Sequence, residues 1–366
     1  MSQQNLVLFE ELVCIDGQRV GVAQLNSEKT LNSLNLTMVQ ALYQQLQLWV
    51  KDEGIVAVFV HGAGEKAFCA GGDVKRICIA VREHGIEDNT ALDFFSAEYR
   101  LDYLIHQYPK PLIVWATGIV MGGGIGLLRG ASHRIVTETS RLAMPEISIG
   151  LYPDVGASWF LSRLGQIGLF LGMTGAQINA ADALQIEFAT HALASGTKQL
   201  VLQSLTQLDW AEDRQAHYQQ ISLLLQRFQL SDLAQGYISQ ALVDIEQRTQ
   251  AKDFAQLYHQ LTMASDNPWL NKAANTLRSG SPSSAALIYR QWQQGQTLSL
   301  ADCFRQELIL SVQCARHPDF IEGVRALLVD KDFKPQWQPA TIEAIDNAWL
   351  DGHYQSLWKT HPLANL

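Results

Sequence analysis

Two glycine-rich stretches are the first part of the sequence that could do chemistry. "GAGEKAFCAGGD" occupies residues 62–73 and "GGGIGLLRG" occupies residues 122–130, and each comes after an apolar run. Glycine leaves its backbone N–H accessible, because no Cβ blocks the approach of a ligand. Two such N–H groups that converge on one oxygen form an oxyanion hole, which stabilises the charge that develops in acyl transfer. Tight turns without a ligand are the alternative explanation of the same glycine clusters.

The start of the first stretch, Gly62 to Ala67, also satisfies a loose G-x-G-x-x-A dinucleotide fingerprint. A Rossmann turn needs its glycines to open a helix directly, so that the pyrophosphate meets the helix N-terminus. Gly71 and Gly72 would fall in the first turns of that helix and would disrupt it. The second stretch does not fit G-x-G-x-x-G at all. The pattern therefore favours backbone donors over a nucleotide-phosphate loop.

The loops lie where buried strands are predicted to end. The run "IVAVFV" (55–60) precedes the first loop, and "LIVWATG" (112–118) precedes the second. The other predicted elements are a hairpin over 6–15 and 19–26 with "DG" as its turn, helices over 37–52 and 90–107, and short strands at 133–138 and 140–144. Strand, strand and helix repeat in this order, which predicts an α/β fold of stacked ββα units.

The later part of the chain has helical character from Asp154 onward, with Asn179 as the cap of a short helix. A Gln-rich, amphipathic stretch and further helical patterns follow. We therefore predict a ββα core over residues 1–195 and a mainly helical region over residues 196–366 that packs on this core.

Composition limits the partners. The 366 residues carry a net charge of -9, which argues against nucleic acid and anionic membranes. The five cysteines form no C-x-x-C pair, so we expect reduced thiols and no metal site in a cytoplasmic protein. The first residues have no basic segment typical of a signal peptide, and no apolar run approaches the roughly 18 residues of a membrane span. A small-molecule partner fits best.

Three motifs give the chain a family resemblance. It is similar to the enoyl-CoA hydratase/isomerase, or crotonase, superfamily in "KAFCAGGD" (66–73), "GIVMGGGIGL" (118–127) and "AMPEISIGLYPDVGASWFLSRL" (143–164). Two further segments, "SAEYRLD" (96–102) and "DFIEGVRALLVDKD" (319–332), are typical of the 3-hydroxyisobutyryl-CoA hydrolase subgroup. The resemblance implies a crotonase-like spiral of ββα units and an acyl-CoA substrate. It implies no metal and no cofactor beyond the CoA of the substrate, and it leaves a homo-oligomer open.

The resemblance also implies an oxyanion hole. In crotonase-like proteins two backbone amides hold the thioester carbonyl, and the matching positions here are Gly72 and Gly123. Hydratases of the superfamily resemble one another in carrying two glutamates. The first of those positions is Gly126 here, so only Glu146 of the "MPE" motif remains. This departure speaks against addition of water to an enoyl-CoA and leaves double-bond isomerisation open.

The hydrolases resemble this chain at three acidic positions, Glu98, Glu146 and Asp154. Glu146 could attack the thioester carbonyl to give a mixed anhydride, or it could act as general base to a water. Asp154 would orient or protonate its partners, and Glu98 would hydrogen-bond the 3-hydroxyl of the substrate. All three acids, and Gly123 with them, would contact the substrate. Asp154 could instead be an ordinary N-cap of the next helix.

The function implied is hydrolysis of 3-hydroxyisobutyryl-CoA to 3-hydroxyisobutyrate and CoA, a step of valine breakdown. Lys29 and Lys66 are candidates for the CoA phosphates, because their loops line the CoA groove in this superfamily. The alternatives are an isomerase or hydratase of the same fold and a non-catalytic acyl-CoA-binding protein. The preference over 3-hydroxypropionyl-CoA stays open, since one methyl group is worth only about 1–3 kcal/mol.

Overall fold

The structure is a computed structural model that describes residues 5–85 and 88–366. Its strands are, in chain order, β1 (Val7–Val13), β2 (Arg19–Leu25), β3 (Ile55–Gly62), β4 (Ala67–Cys69), β5 (Leu112–Ala116), β6 (Ile119–Met121), β7 (His133–Val136), β8 (Arg141–Ala143) and β9 (His191–Ala192). Its helices are α1 (Leu36–Lys51), α2 (Val74–His84), α3 (Thr90–His106), α4 (Gly123–Arg129), α5 (Ala157–Arg163), α6 (Gly165–Thr174), α7 (Ala180–Gln185), α8 (Lys198–Thr206), α9 (Arg214–Gln226), α10 (Tyr237–Thr249), α11 (Phe254–Leu261), α12 (Pro268–Ser279), α13 (Pro282–Gly295), α14 (Leu300–Arg316), α15 (Pro318–Val324) and α16 (Asn347–His353).

The strands form two sheets. Six strands lie in the order β1-β2-β3-β5-β7-β9, and three lie in the order β4-β6-β8. β1 and β2 pair antiparallel, whereas the other pairs of the larger sheet are parallel. The predicted hairpin and the predicted α/β class are confirmed. From Ser195 to the last residue, a range described throughout, every element is helical, as predicted.

The central strands explain where the glycine loops begin. All eight residues of β3 are buried, as are all five of β5, and such continuous apolar runs are typical of parallel strands covered on both faces. β3 and β5 are direct parallel neighbours, with Val58 opposite Leu112 and His61 opposite Trp115. Their carboxyl ends therefore meet at one edge of the sheet. From that edge the chain runs from β3 directly into the first glycine stretch, and from β5 through β6 into the second.

Contacts within the chain define two compact units, each built from three segments. Unit 1 comprises the residues up to Gly72 together with Leu101–Leu142 and Ile178–Gly236. Unit 2 comprises Asp73–Arg100, Ala143–Gln177 and Tyr237–Leu366. Because these units interleave along the chain, they do not test a division between residues 195 and 196, and that boundary stays a prediction.

Each unit has its own apolar interior. In unit 1, β2, β3, β5 and α9 share a core that contains Phe59, Trp115 and Trp210. In unit 2, Phe160 of α5, Phe304 of α14 and Phe320 of α15 are among the side chains fully removed from water. The five cysteines are buried, and none of them is in a disulfide within the described part of the chain. Among the described helices, none has the length and apolarity required to cross a membrane.

Candidate active site

The two glycine loops of unit 1 approach each other closely. The first follows β4 and the second runs from β6 into α4, and these two strands pair in parallel. A Cβ on Gly124 would lie only 2.5 Å from the carbonyl oxygen of Cys69, the last residue of β4. Only glycine allows this approach of two backbones. The sequence therefore uses its glycines to bring the two loops together, rather than to form two independent turns.

The predicted oxyanion donors are available in this arrangement. Gly123 is the first residue of α4, so its N–H has no partner within the helix. Gly71 accepts a hydrogen bond from the Leu34 N–H at 2.9 Å, which fixes the chain just before Gly72. Within residues 5–85 and 88–366, no protein atom accepts a hydrogen bond from the N–H of Gly72 or of Gly123. The dipole of α4 adds positive potential at its N-terminus.

The three predicted acids come together in unit 2 and are buried. Glu98 lies on α3, Glu146 begins the 3-10 turn Glu146–Ile149, and Asp154 lies in the loop before α5. These residues are 2%, 6% and 4% exposed, respectively. Oε1 of Glu98 and Oε2 of Glu146 have no hydrogen-bond partner among the described residues. Buried polar atoms are normally satisfied, so these two oxygens indicate a place for a ligand.

Burial and mutual repulsion change the acidity of this cluster. Burial raises the pKa of Glu98 well above its ordinary value, and the Asp154 and Glu146 carboxylates raise it further. Burial and Asp154 likewise raise the pKa of Glu146 well above its ordinary value. The pKa of Asp154 is raised by burial to about 6, although its hydrogen bond from Tyr99 opposes the rise. The cluster can therefore hold protons near neutral pH, as acid–base chemistry requires.

Asp154 is held by a tyrosine, not by a helix end. The Tyr99 hydroxyl, one residue after Glu98 on α3, donates to Oδ2 of Asp154 at 2.6 Å and lies 2.6 Å from Oγ of Ser311. Gly156 is the N-cap of α5, so the alternative role of Asp154 as a helix cap is wrong. Tyr99 and Ser311 were not predicted as site residues. Tyr99 lies within the motif "SAEYRLD", which could have suggested it, whereas Ser311 on α14 has no local signal.

A fourth buried acid, Glu307 on α14, fixes the loop that carries Asp154. Its Oε2 accepts from the Gly156 N–H at 2.7 Å, and its Oε1 accepts from the Ser158 N–H at 3.0 Å and from the Ser158 hydroxyl. Burial raises the pKa of Glu307 to about 8. Val155, between these contacts and Asp154, has φ +54°, a conformation that a β-branched residue adopts only under constraint. Glu307 supplies that constraint, and nothing in the sequence around it indicates this.

The turn that carries Glu146 is also fixed by close packing. The Gly150 and Leu151 N–H groups both donate to the carbonyl oxygen of Glu146. Gly150 has φ +71°, and a Cβ there would lie 2.3 Å from the backbone of Asp319 on α15. Another residue at Gly150 would push α15 away, so the "IG" of the motif holds the turn against that helix.

Other predictions lie outside these clusters. Lys29 and Lys66 are both exposed in unit 1, and the Glu28 side chain lies over Gly64, between the loops that carry the two lysines. No group of three or more His, Cys, Asp or Glu among the described residues could hold a metal ion. Cavities of about 290 Å³ in unit 1 and 150 Å³ in unit 2 are lined by residues other than the predicted ones. The candidate functional residues therefore form two groups, the glycine loops of unit 1 and the acid cluster of unit 2.

Comparison with known sequences matches nearly the whole chain. A sequence model of the enoyl-CoA hydratase/isomerase family matches residues 20–354. Curated relatives named mitochondrial 3-hydroxyisobutyryl-CoA hydrolase include those of Danio rerio, 36% identical over 96% of this chain and 90% of the relative, and Gallus gallus, 35% over 92% and 86%. The Homo sapiens protein of that name is 33% identical over 96% of this chain and 89% of its own.

Solved structures agree on the fold. A carnitinyl-CoA dehydratase from Mycobacterium thermoresistibile has a TM-score of 0.86 at 30% identity, and the match covers 99% of both chains. An enoyl-CoA hydratase from Rhodobacter sphaeroides has a TM-score of 0.83 at 29% identity, covering 96% of this chain and 98% of the other. The predicted crotonase-like fold is confirmed. This chain belongs to the enoyl-CoA hydratase/isomerase family.

Proposed function

We propose that the chain is an acyl-CoA thioester hydrolase that acts on 3-hydroxyisobutyryl-CoA, a reaction of valine breakdown. The observation that carries this proposal is the buried, unpartnered Oε2 of Glu146 in a chain that has Gly126 where hydratases carry a second glutamate. Relatives named for this hydrolysis match over 86–90% of their own length. A hydratase would need a second carboxylate to hold the added water, and Gly126 has no side chain to do so.

In the proposed reaction the N–H groups of Gly72 and Gly123 donate hydrogen bonds to the thioester oxygen as negative charge develops on it. One such donor contributes about 3 kcal/mol of transition-state stabilisation. Glu146 attacks the carbonyl to give a mixed anhydride, which water then hydrolyses. Activation of a water by Glu146 as general base is the alternative route. Both routes use the same carboxylate, and its buried Oε2, which has no hydrogen-bond partner among the described residues, is available in either role.

Specificity is assigned to Glu98. Its buried Oε1 lacks a partner, and a substrate hydroxyl would satisfy it. A site built to hydrogen-bond a hydroxyl discriminates strongly against analogues that lack it, because the buried polar atom is then unpaired. Lys29 and Lys66, which are exposed, remain the predicted ligands of the CoA phosphates. The cytoplasmic location, the absence of a cofactor and a homo-oligomeric assembly also stay predictions.

Release of free CoA thiol tests the function directly. Purified protein is incubated with 3-hydroxyisobutyryl-CoA, and thiol is followed colorimetrically, with crotonyl-CoA as the hydratase substrate in parallel. We expect thiol release from the first substrate and no hydration of the second. Hydration of crotonyl-CoA without thiol release would show a hydratase instead. 3-Hydroxypropionyl-CoA, assayed in the same way, decides the acyl preference.

A further inference from the structure

A continuous row of buried hydroxyl groups leads away from Asp154 within unit 2. Oδ2 of Asp154 lies 2.6 Å from the Tyr99 hydroxyl, which lies 2.6 Å from Oγ of Ser311. Ser311 lies 2.9 Å from the Tyr152 hydroxyl, and Tyr152 ends the row by donating to the carbonyl oxygen of Glu307 at 2.7 Å. All of these distances are in the range of O–H···O hydrogen bonds. The row therefore contains four hydrogen-bond contacts, and it ends at two acceptors, the Asp154 carboxylate and the Glu307 carbonyl oxygen.

The protons available in this row depend on Asp154. Each hydroxyl of Tyr99, Ser311 and Tyr152 brings one proton, so three protons must serve four contacts when Asp154 is ionised. Tyr152 donates to the Glu307 carbonyl and Tyr99 donates to the carboxylate. Ser311 can then donate to the hydroxyl of either Tyr99 or Tyr152, but not to both. In the contact that remains, two oxygen atoms lie within hydrogen-bond distance with no proton between them. A protonated Asp154 adds the fourth proton, donates to Tyr99, and completes every contact.

We propose that Tyr99, Ser311 and Tyr152 are positioning residues that keep a proton on Asp154, and thereby decide between the orienting and the protonating role of this residue in favour of a general acid. The row of hydroxyls is complete only with that proton, and no other protein group among the described residues supplies it. Burial also favours the neutral carboxyl, because water cannot solvate the ion.

The use of this proton rests on the proposed function. When Glu146 attacks the thioester carbonyl, the C–S bond breaks and Asp154 gives its proton to the departing CoA sulfur, so that CoA leaves as a thiol. Water then adds to the anhydride and cleaves it into the product carboxylate and the Glu146 carboxylate, with loss of two protons. One of these returns to Asp154 and the other goes to solvent. The balance is that of thioester hydrolysis, and no oxidant or co-reactant is needed.

Several other groups act on Asp154 electrostatically. Asp154 raises the pKa of Glu98 and of Glu146, and it also raises the pKa of Glu307 and of the Cys314 thiol on α14. The hydrogen bond from the Tyr99 hydroxyl and a backbone hydrogen bond lower the pKa of Asp154, and no Lys, Arg or His among the described residues affects it. Changes within the hydroxyl row should therefore move the acidity of Asp154 in directions that the proton count determines.

Two variants are expected to shift the pH profile in opposite directions. Ser311→Ala removes two of the four contacts and one proton. The two contacts that remain, Tyr99 to Asp154 and Tyr152 to the Glu307 carbonyl, are then complete with Asp154 ionised, so the pKa of Asp154 falls. Tyr99→Phe removes the donor to Asp154, so its pKa rises. Since activity requires the protonated acid, the alkaline limb of kcat/KM should move to lower pH in Ser311→Ala and to higher pH in Tyr99→Phe. Each shift should be about one pH unit, the size of one hydrogen bond.

A matched control is Ser284→Ala, which removes a buried serine hydroxyl of α13 that has no hydrogen-bond partner in the described part of the chain and should leave the profile unchanged. Shifts of both variants in the same direction, or no shift in either, would overturn the proposal. If Tyr99→Phe does not fold, the shift of Ser311→Ala decides alone. A merely structural role would lower the rate without moving the limb.

A second measurement does not depend on hydrolysis. Isotope-edited infrared titration of protein labelled with ¹³C-aspartate separates Asp154 from its glutamate neighbours, and Asp154→Asn identifies its carboxylic acid band. We expect the band to persist to higher pH in the wild type than in Ser311→Ala. If thiol release fails but this order holds, the proposed function is wrong and the assignment of the proton stands. If the band is equally lost in both, the proton assignment is wrong whatever the activity.

Discussion

The glycine loops of unit 1 and the acid cluster of unit 2 offer two different kinds of chemistry. The loops contribute backbone N–H groups, which cannot ionise and whose positions depend on the absence of side chains. The cluster contributes four buried carboxyl groups, whose charge depends on burial and on one another. The loops therefore provide a fixed electrostatic environment, whereas the cluster provides protons and a nucleophile.

This difference also determines how each part can be altered. A change in the loops acts through geometry and should not depend on pH. A change in the cluster alters the charge of every neighbour, so its effect should depend on pH. The pH dependence of each variant therefore distinguishes a contribution of the loops from a contribution of the cluster.

The largest effect is expected for Glu146→Gln, which removes the proposed nucleophile with almost no change in shape. Turnover should fall by at least about 100-fold, and a loss near 10⁶-fold would favour the nucleophile over a general base, whose removal typically costs about 10²–10⁴. Thiol release measures turnover, and calorimetric titration with CoA should show nearly unchanged binding. Glu246→Gln, an exposed glutamate of α10, is the control. Wild-type rates in Glu146→Gln would disprove the assignment.

Next is Gly123→Pro, which deletes the N–H of one proposed oxyanion donor. Proline is well tolerated at the first position of a helix, and Gly123 begins α4. We expect kcat to fall by about 10²–10³-fold, equally at all pH values, because a backbone donor does not titrate. Gly123→Ala keeps the N–H and serves as the control for the added Cβ. Equal losses in the two variants would mean that the N–H has no special role.

A smaller effect is expected for Glu98→Met, which keeps the length of the side chain and removes both acceptor oxygens. The kcat/KM for 3-hydroxyisobutyryl-CoA should fall by about 10- to 100-fold, the contribution of a hydrogen bond to a charged group. Isobutyryl-CoA, which lacks the hydroxyl, is the matched control substrate and should lose much less. An equal loss of kcat/KM for both substrates would mean that Glu98 stabilises the acid cluster and does not bind the substrate hydroxyl.

The smallest effect concerns stability and Glu307. Its pKa is raised to about 8 in the folded chain, so the folded state holds a proton that the unfolded state releases near its ordinary pKa. The free energy of unfolding should therefore decrease as pH rises from that ordinary value towards 8, and level off above it. Glu307→Gln should flatten this decrease in denaturant titrations between about pH 5 and pH 9. Glu246→Gln should keep the wild-type slope, and an unchanged slope in Glu307→Gln would contradict the assignment.

Much of the fold could be predicted because its signals are local. The hairpin, α1, α3 and the capping box at Asn179 follow from short-range patterns of apolar and capping residues. The glycine loops belong to this class too, since each is a contiguous stretch that follows a buried strand. Family membership followed from motifs of the same local kind.

The supports of the acid cluster could not be predicted in this way. Tyr99, Asp154 and Ser311 meet although Tyr99 and Ser311 are 212 residues apart. Glu307 has the ordinary appearance of a polar residue within an amphipathic helix, and its burial follows only from the packing of α14 against α5. These hydrogen bonds form between residues that are distant in sequence, so no local sequence pattern predicts them.

The interleaved segments of the two units have a consequence for synthesis on the ribosome. A chain that emerges from its amino end has exposed every segment of unit 1 once Gly236 has left the exit tunnel, and domains generally fold in this vectorial order. Unit 2 cannot complete its folding until its last segment, Tyr237–Leu366, has been synthesised, because this segment contains Glu307 and Ser311. Until then Glu98, Glu146 and Asp154 lack the burial that raises their pKa values in the folded chain, and we expect them to be ionised. Nascent chains should thus acquire their acidic chemistry abruptly, near the end of translation.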